Sequence, residues 1–186
     1  MVDRASPFAE TVDAENAGIV LAEDPRGALW QVACWPEAFT SVEAALADAC
    51  GCSVPQPGQM IATPDGGLLF RVEPLKWWFM AASGAACPHQ PAADQGAWLD
   101  MAHDQASISV TGAHAAELLK RMVSIDLRET GFPDMSYAST TVHHMFLKVL
   151  RRDRVGVPSY SLMVMRSYAD DLREILTHHL EHFEAE

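Results

Sequence analysis

The fold class is decided by residues 159–176, SYSLMVMRSYADDLREIL, because a strand pattern is followed directly by a helix pattern there. Over residues 159–165 the side chains of Tyr160, Leu162 and Val164 point to one side of an extended chain. A helix is predicted from Ser167, with Asp170 three residues later in a box-like cap. Its buried stripe is predicted at Leu172, Ile175, Leu176, Leu180 and Phe183. An amphipathic helix is therefore expected to pack on a sheet.

A second helix with an apolar face is predicted at residues 41–50, SVEAALADAC. Thr40 and Glu43 have the spacing of a capping box, in which each side chain satisfies a free amide at the helix start. Gly51 supplies the left-handed residue that ends the helix. The apolar positions follow helical spacing at Val42, Ala45, Leu46 and Ala49.

Short strand patterns surround these helices. They lie at residues 18–23, 28–34, 59–63, 68–72 and 77–81, and at 98–101, 107–110, 138–142, 145–150 and 159–165. The turn Asp24-Pro25-Arg26-Gly27 separates the first two, and a further helix is predicted at 113–123 with Thr111 as its cap. Runs of neighbouring strands between single helices predict an α+β fold with antiparallel or mixed sheets. We expect a single domain over 1–186, with similar lobes at about 1–83 and 96–186 and a linker at 84–95.

The charge excludes one class of partner. The 186 residues carry a formal net charge of −12, which repels phosphate backbones. The basic residues cluster only at Arg151, Arg152 and Arg154, with Lys148 nearby. A solvated strand end or turn explains this cluster better than an anion site does. We therefore expect no nucleic-acid partner.

The remaining composition predicts a cytoplasmic chain. The N-terminus, MVDRASPFAE, lacks the apolar segment of a secretion signal, and the longest apolar run, residues 77–82, is too short to cross a membrane. The four cysteines have neither a disulfide framework nor zinc spacing. They are interpreted as reduced thiols at Cys34, Cys50, Cys52 and Cys87.

Two groups of side chains could carry chemistry or binding. His178 and His182 lie one helical turn apart and could hold a metal, although a solvated helix flank is the favoured interpretation. His143 and His144 are adjacent on a predicted strand and therefore face opposite sides.

We predict no catalytic, cofactor-binding or metal-binding residue, since no phosphate loop, dinucleotide fingerprint or nucleophile elbow is present.

The tryptophans form the second group. Trp77, Trp78 and Trp98, together with Met80 and Met101, are interpreted first as core. Because alternation puts Trp77 and Trp78 on opposite faces, burial of both would mean that the sheet is covered on both sides, by its helix and by a partner subunit.

The chain also resembles a known family, the gamma subunits of heterotetrameric sarcosine oxidases. The resemblance rests on the order and spacing of several segments over about residues 66–180. These are FRVEP at 70–74 with WWFM at 77–80, WLDM at 98–101 followed by His103, SISVTGAHAAELLKRMVSIDL at 107–127, Phe132-Pro133, TTVHHMFLKVLRR at 140–152 and YSLMVMRSYADDLREIL at 160–176. Glu73 departs from the family, which usually has glycine before this proline.

The resemblance implies a non-catalytic subunit that supports assembly and stability. In such complexes large alpha and beta subunits bind FAD, FMN, NAD and tetrahydrofolate, a small delta subunit holds zinc, and sarcosine is oxidised to glycine. The gamma subunit resembles the folate-binding domain of the aminomethyltransferase T-protein.

Three alternatives remain open at this point. The chain could be a stand-alone folate-binding, aminomethyltransferase-like protein, for which Asp100 is the one carboxylate that can be named. It could be the gamma-type subunit of an N-methylglutamate dehydrogenase. It could also be a small metal-binding module that uses the histidines of the closing helix.

Overall fold

The computed structural model describes residues 6–24, 27–81 and 85–184. Its strands are β1 (Asp13–Asn16), β2 (Ile19–Glu23), β3 (Ala28–Cys34), β4 (Met60–Ala62), β5 (Leu68–Glu73), β6 (Lys76–Ala81), β7 (Gly96–Asp100), β8 (Gln105–Gly112), β9 (Tyr137–Val142), β10 (Met145–Arg151) and β11 (Ser159–Met165). Its helices are α1 (Phe39–Cys50), α2 (Ala115–Leu119) and α3 (Ala169–Glu181). Pro25 and Arg26 of the predicted first turn, and Gly84 of the predicted linker, lie outside the described residues.

The chain divides into two compact units. The discontinuous unit comprises residues 1–24 and 104–186, and the continuous unit comprises residues 25–103. The predicted lobes put residues 1–24 with the first half of the chain. They belong with the second half because β2 pairs with β8, with Leu21 opposite Val110. No described helix combines the length and the apolar character that crossing a membrane requires.

The discontinuous unit is built on a six-stranded sheet in the order β1-β2-β8-β11-β10-β9, with every neighbouring pair antiparallel. Alternation along β8 and β11 sends Ile108, Val110 and Leu162 into a core against α2 and α3. The predicted stripe of α3 lies in this core, with Leu172, Leu176, Leu180 and Phe183 buried and Ile175 packed against it.

The first strand, β1, was not predicted, because its sequence, DAEN, has no apolar alternation. It forms through a tight hairpin in which Ala17 (φ 49°) and Gly18 (φ 71°) both adopt positive φ, as a primed turn requires. Asn16 then closes the end of α3, since its Nδ2 donates to the carbonyls of Leu180 at 2.7 Å and Phe183 at 3.1 Å. The carbonyl of Leu180 also accepts from Phe183 N at 3.0 Å, so Asn16 adds a second donor at the end of the helix.

The continuous unit is built on a five-stranded antiparallel sheet in the order β4-β5-β6-β3-β7. One face packs on α1, where Val42 and Leu46 meet Val32 and Trp77 in a common core. The predicted α+β class with antiparallel sheets is therefore confirmed, and the predicted strands are found with small differences at their ends.

The predicted helix caps were wrong. Single 3-10 turns, Pro36–Ala38 and Arg166–Tyr168, lead into α1 and α3, and neither helix has a side-chain cap. The backbone of each turn takes the place of a cap, since Phe39 N donates to Pro36 O and Ala169 N donates to Arg166 O. Gly51 ends α1 in the left-handed conformation (φ 63°), as predicted.

The helix predicted at 113–123 is confined to Ala115–Leu119, with β8 extending through Gly112 before it and turns at residues 113–114 and 120–122 on either side. Thr111, the predicted cap, lies in β8, and its Oγ1 is 2.8 Å from Ser159 Oγ on the neighbouring strand. Gly112 has φ 149° and its N–H donates to Pro158 O. The hydroxyl of Thr111 is therefore engaged in a cross-strand hydrogen bond and does not cap α2.

Candidate functional site

The histidine pair of the closing helix is brought together. The rings of His178 and His182 are 4.6 Å apart at their centroids, and both side chains are exposed at the end of α3. His182 Nδ1 donates to the carbonyl of His178 at 2.9 Å, so one nitrogen of the pair is engaged in closing the helix. Within residues 6–24, 27–81 and 85–184, no group of three or more His, Cys, Asp or Glu side chains is arranged to hold a metal.

His143 and His144 form the turn between β9 and β10, not a strand, and both are exposed. The strand prediction was therefore wrong at these two positions. His143 has φ 48°, which a hairpin turn requires, and the ring of His144 lies 5.7 Å from that of Tyr168. Neither side chain faces the core.

The half-buried His179 has a lowered pKa. Burial is the largest cause, followed by the positive charges of His178, Arg121, His143 and His182. The neutral form is therefore favoured in the folded chain, whereas an unfolded histidine titrates near pH 6.5. Because the unfolded state binds the proton more readily, this histidine destabilises the fold progressively as the pH falls below about 6.5.

We expect His179→Gln to make the free energy of unfolding less dependent on pH between about pH 7 and about pH 5. Urea titrations at several pH values measure this slope. His103→Gln, at an exposed position, serves as the matched control and should leave the slope unchanged. Equal slopes for wild type and His179→Gln would contradict the prediction.

The cysteines are free thiols held in the protonated form. Burial raises the pKa of Cys50 to about 12 and raises that of Cys34, Cys52 and Cys87. The Cys87 thiol donates to the carbonyl of His89 at 3.1 Å. Since the thiolate is the form that attacks or binds metal, these side chains are suited to packing.

The tryptophans of β6 are both buried, on opposite faces of the strand, as alternation predicted. Trp77 is fully buried, and its ring is stacked on that of Phe39 at 5.8 Å. Arg71 lies over both rings, at 5.1 Å from Phe39 and 5.5 Å from Trp77. Trp78 is 4% exposed, and its Nε1 donates to Gln31 at 3.0 Å. Both indoles are thus buried within this chain and leave nothing for a partner to cover.

Asp100, the carboxylate considered for a folate site, ends β7. Its Oδ1 accepts the amide of Ala102 at 2.9 Å, which makes it a turn residue. A surface depression of about 350 Å³ lies elsewhere in the same unit, along the solvent side of α1, where Glu43 is the acidic member. The other residues that line it are Thr40, Ala44, Ala47, Val54 and Gln56.

The basic cluster was predicted to be solvated, and for Arg151 this was wrong. Its side chain is 5% exposed and forms a bidentate pair with Asp153, at 3.0 Å from Nε and 2.9 Å from Nη2. Nη1 donates to Phe132 O at 2.6 Å, and Glu129 lies 2.5 Å from Nη2. The guanidinium is therefore neutralised, and Arg152 and Arg154 remain exposed, the latter 3.7 Å from Asp24.

The sequence did not indicate which apolar side chains would face solvent. Trp98 (38% exposed) and Leu99 (53%) lie on β7, and Trp35 (48%) follows β3. Phe146 on β10 is 76% exposed. Exposure of this kind depends on the order of strands in a sheet, which a single sequence does not reveal.

Comparison with known proteins finds similarity among solved structures. No family profile matches the sequence, and no curated protein matches it. Among solved structures, the heterotetrameric sarcosine oxidase from Corynebacterium sp. U-96 in complex with pyrrole 2-carboxylate contains a chain that superposes with a TM-score of 0.80 at 20% sequence identity. The match covers 98% of this chain and 97% of that one. The protein therefore shares its fold, from end to end, with one chain of that oxidase.

Proposed function

We propose that this chain is the non-catalytic gamma-type subunit of a heterotetrameric, flavin- and folate-dependent sarcosine oxidase, which demethylates sarcosine to glycine. The observation that carries the proposal is the mutual coverage of 98% and 97% with a chain of such an oxidase at a TM-score of 0.80. If the two chains had only a core of elements in common, the elements outside that core would remain unmatched. The sequence segments that resemble gamma subunits point to the same assignment.

The roles of the reactive side chains support an assembly function. Arg151 is neutralised by carboxylates, the cysteine thiols are held protonated, and Asp100 holds a turn. In this proposal the alpha and beta subunits bind FAD, FMN, NAD and tetrahydrofolate, the delta subunit binds zinc, and the complex works in the cytoplasm. The chain itself has the T-protein-like folate-binding fold without a folate of its own.

Affinity purification of the tagged chain from its native cells tests this proposal. We expect a yellow complex with two large subunits and one very small subunit, and formation of peroxide when sarcosine is added. Turnover of N-methylglutamate in place of sarcosine would assign the chain to the dehydrogenase instead. A colourless chain recovered alone would contradict the subunit assignment, and tetrahydrofolate titration by calorimetry would then test the folate-binding alternative.

A further inference from the structure

Strand β7 is an edge of the five-stranded sheet, with β3 as its one neighbour among the described strands. Gly96, at its start, is buried, and the four residues that follow it are exposed. A side chain at position 96 would overlap the carbonyl oxygen of Ala33, so the glycine lets β7 lie close against β3. The strand is thus firmly held on one side and open on the other.

The ladder fixes which backbone groups point outward. Leu99 is opposite Gln31, and Met101 N donates to Leu29 O at 2.7 Å. In an antiparallel pair, alternate residues bond to the partner strand. The amides and carbonyls of Trp98 and Asp100 therefore point away from β3, and no hydrogen bond from the described part of the chain reaches them.

Apolar side chains flank this open edge on both faces. Trp98 lies on the α1 side, where its ring is 5.5 Å from that of Trp30, yet it stays 38% exposed as the last member of that layer. Leu99 extends the opposite face and is 53% exposed. Soluble proteins usually protect such edges with lysine, proline or a bulge, and residues 96–100, GAWLD, contain no lysine or proline.

The charges around the edge select the occupant. Asp94 precedes β7 and Asp100 ends it, and both are exposed. Exposed Glu37 follows Trp35, whose Nε1 donates to Ala93 O at 3.0 Å beside the start of the strand. A second copy would bring the same carboxylates and its own net charge of −12. The edge therefore suits a basic segment of a different polypeptide.

We propose that β7 is a docking edge for an extended, lysine- or arginine-bearing segment of another protein, which adds as a strand beside Trp98 and Asp100. The segment would pair with the free backbone groups, cover Trp98 and Leu99 with apolar side chains, and place cations near Asp94 and Asp100. The identification of this segment as part of a large subunit of the oxidase rests on the proposed function. The proposal that β7 is a docking edge does not depend on that function.

Titration of the isotope-labelled full chain with the peptide KVTVTVK, observed by NMR, tests the edge directly. We expect the amide signals of Trp98 and Asp100 to shift at about millimolar peptide. The proline peptide KVTPTVK, which cannot form a strand, should cause no shift, and EVTVTVE should bind at least about tenfold more weakly. No shift with KVTVTVK, or equal shifts with the proline peptide, would overturn the proposal.

Purification of the tagged chain with its partners tests the same edge in the complex. Leu99→Lys puts a charge on an exposed edge position and should reduce recovery of the large subunits about tenfold. Phe146→Lys, at a more exposed apolar position on β10, is the matched control and should leave recovery unchanged. Unchanged recovery for both variants, or equal loss for both, contradicts docking at β7. If wild type recovers no large subunit, the proposed function fails, and the peptide titration still decides the edge.

Discussion

Trp77→Ala is expected to lower the free energy of unfolding by about 4 kcal/mol, within the usual range for truncating a buried tryptophan. The side chain is fully buried, and the change removes the stacking on Phe39 and the surface that Arg71 covers. A cavity of this size cannot close, because β6 and α1 are each held by their own hydrogen bonds. The continuous unit should lose most of its cooperativity.

Urea unfolding followed by far-ultraviolet circular dichroism measures this loss. Trp35→Ala is the matched control, since Trp35 is 48% exposed and should cost about 1 kcal/mol. Trp77→Phe separates the contribution of ring packing to the free energy of unfolding from that of the polar indole N–H. The indole N–H of Trp77 has no hydrogen-bond partner within the described residues, so phenylalanine should cost clearly less than alanine, about 1–2 kcal/mol. Equal losses for Trp77→Ala and Trp35→Ala would contradict the core role.

Arg151→Met is expected to lower the free energy of unfolding by about 3 kcal/mol, the low end for breaking a buried ion pair. The low end applies because Asp153 keeps a 20% exposed side chain and Glu129 is 69% exposed, so water partly stabilises both carboxylates once the guanidinium is gone. The carbonyl of Phe132 also loses its donor. The stability of Arg151→Lys should fall between those of wild type and Arg151→Met, since an ammonium cannot satisfy a bidentate carboxylate and a carbonyl in the same geometry.

Chemical denaturation again provides the measurement, at low salt and at about 1 M salt. Arg152→Met, next in the chain but exposed, is the matched control and should change stability by less than about 0.5 kcal/mol. A buried pair is screened weakly, so the difference between the two variants should persist at high salt. If both variants unfold alike, the ion pair of Arg151 with Asp153 and Glu129 does not stabilise the fold.

Elements with their own periodicity could be predicted from the sequence. Strand β11 and the stripe of α3 follow directly from alternation and helical spacing, and Gly51 marks the end of α1. Strand β1 could not be predicted, because its polar residues acquire a strand conformation only through the turn at Ala17 and Gly18.

The site-level predictions failed where a residue's environment comes from distant parts of the chain. Arg151 was predicted to be solvated because it stands among basic neighbours, but Glu129 and Phe132 reach it from a loop. Thr111 was predicted to cap a helix, but its hydroxyl bonds Ser159 across the sheet. Trp98 was grouped with Trp77 because both are tryptophans, and only the strand order places it at an edge.

The division of the discontinuous unit between the two ends of the chain has a consequence for biosynthesis. The continuous unit has all its strands and α1 once the ribosome has released residue 103. In the other unit, β2 pairs with β8, and β8 pairs with β11. The six-stranded sheet can therefore be completed only after residue 165 has emerged. The β1–β2 hairpin of a nascent chain therefore lacks its neighbouring strand until β8 has emerged, and a product that terminates between residues 103 and 165 can complete one unit but not the other.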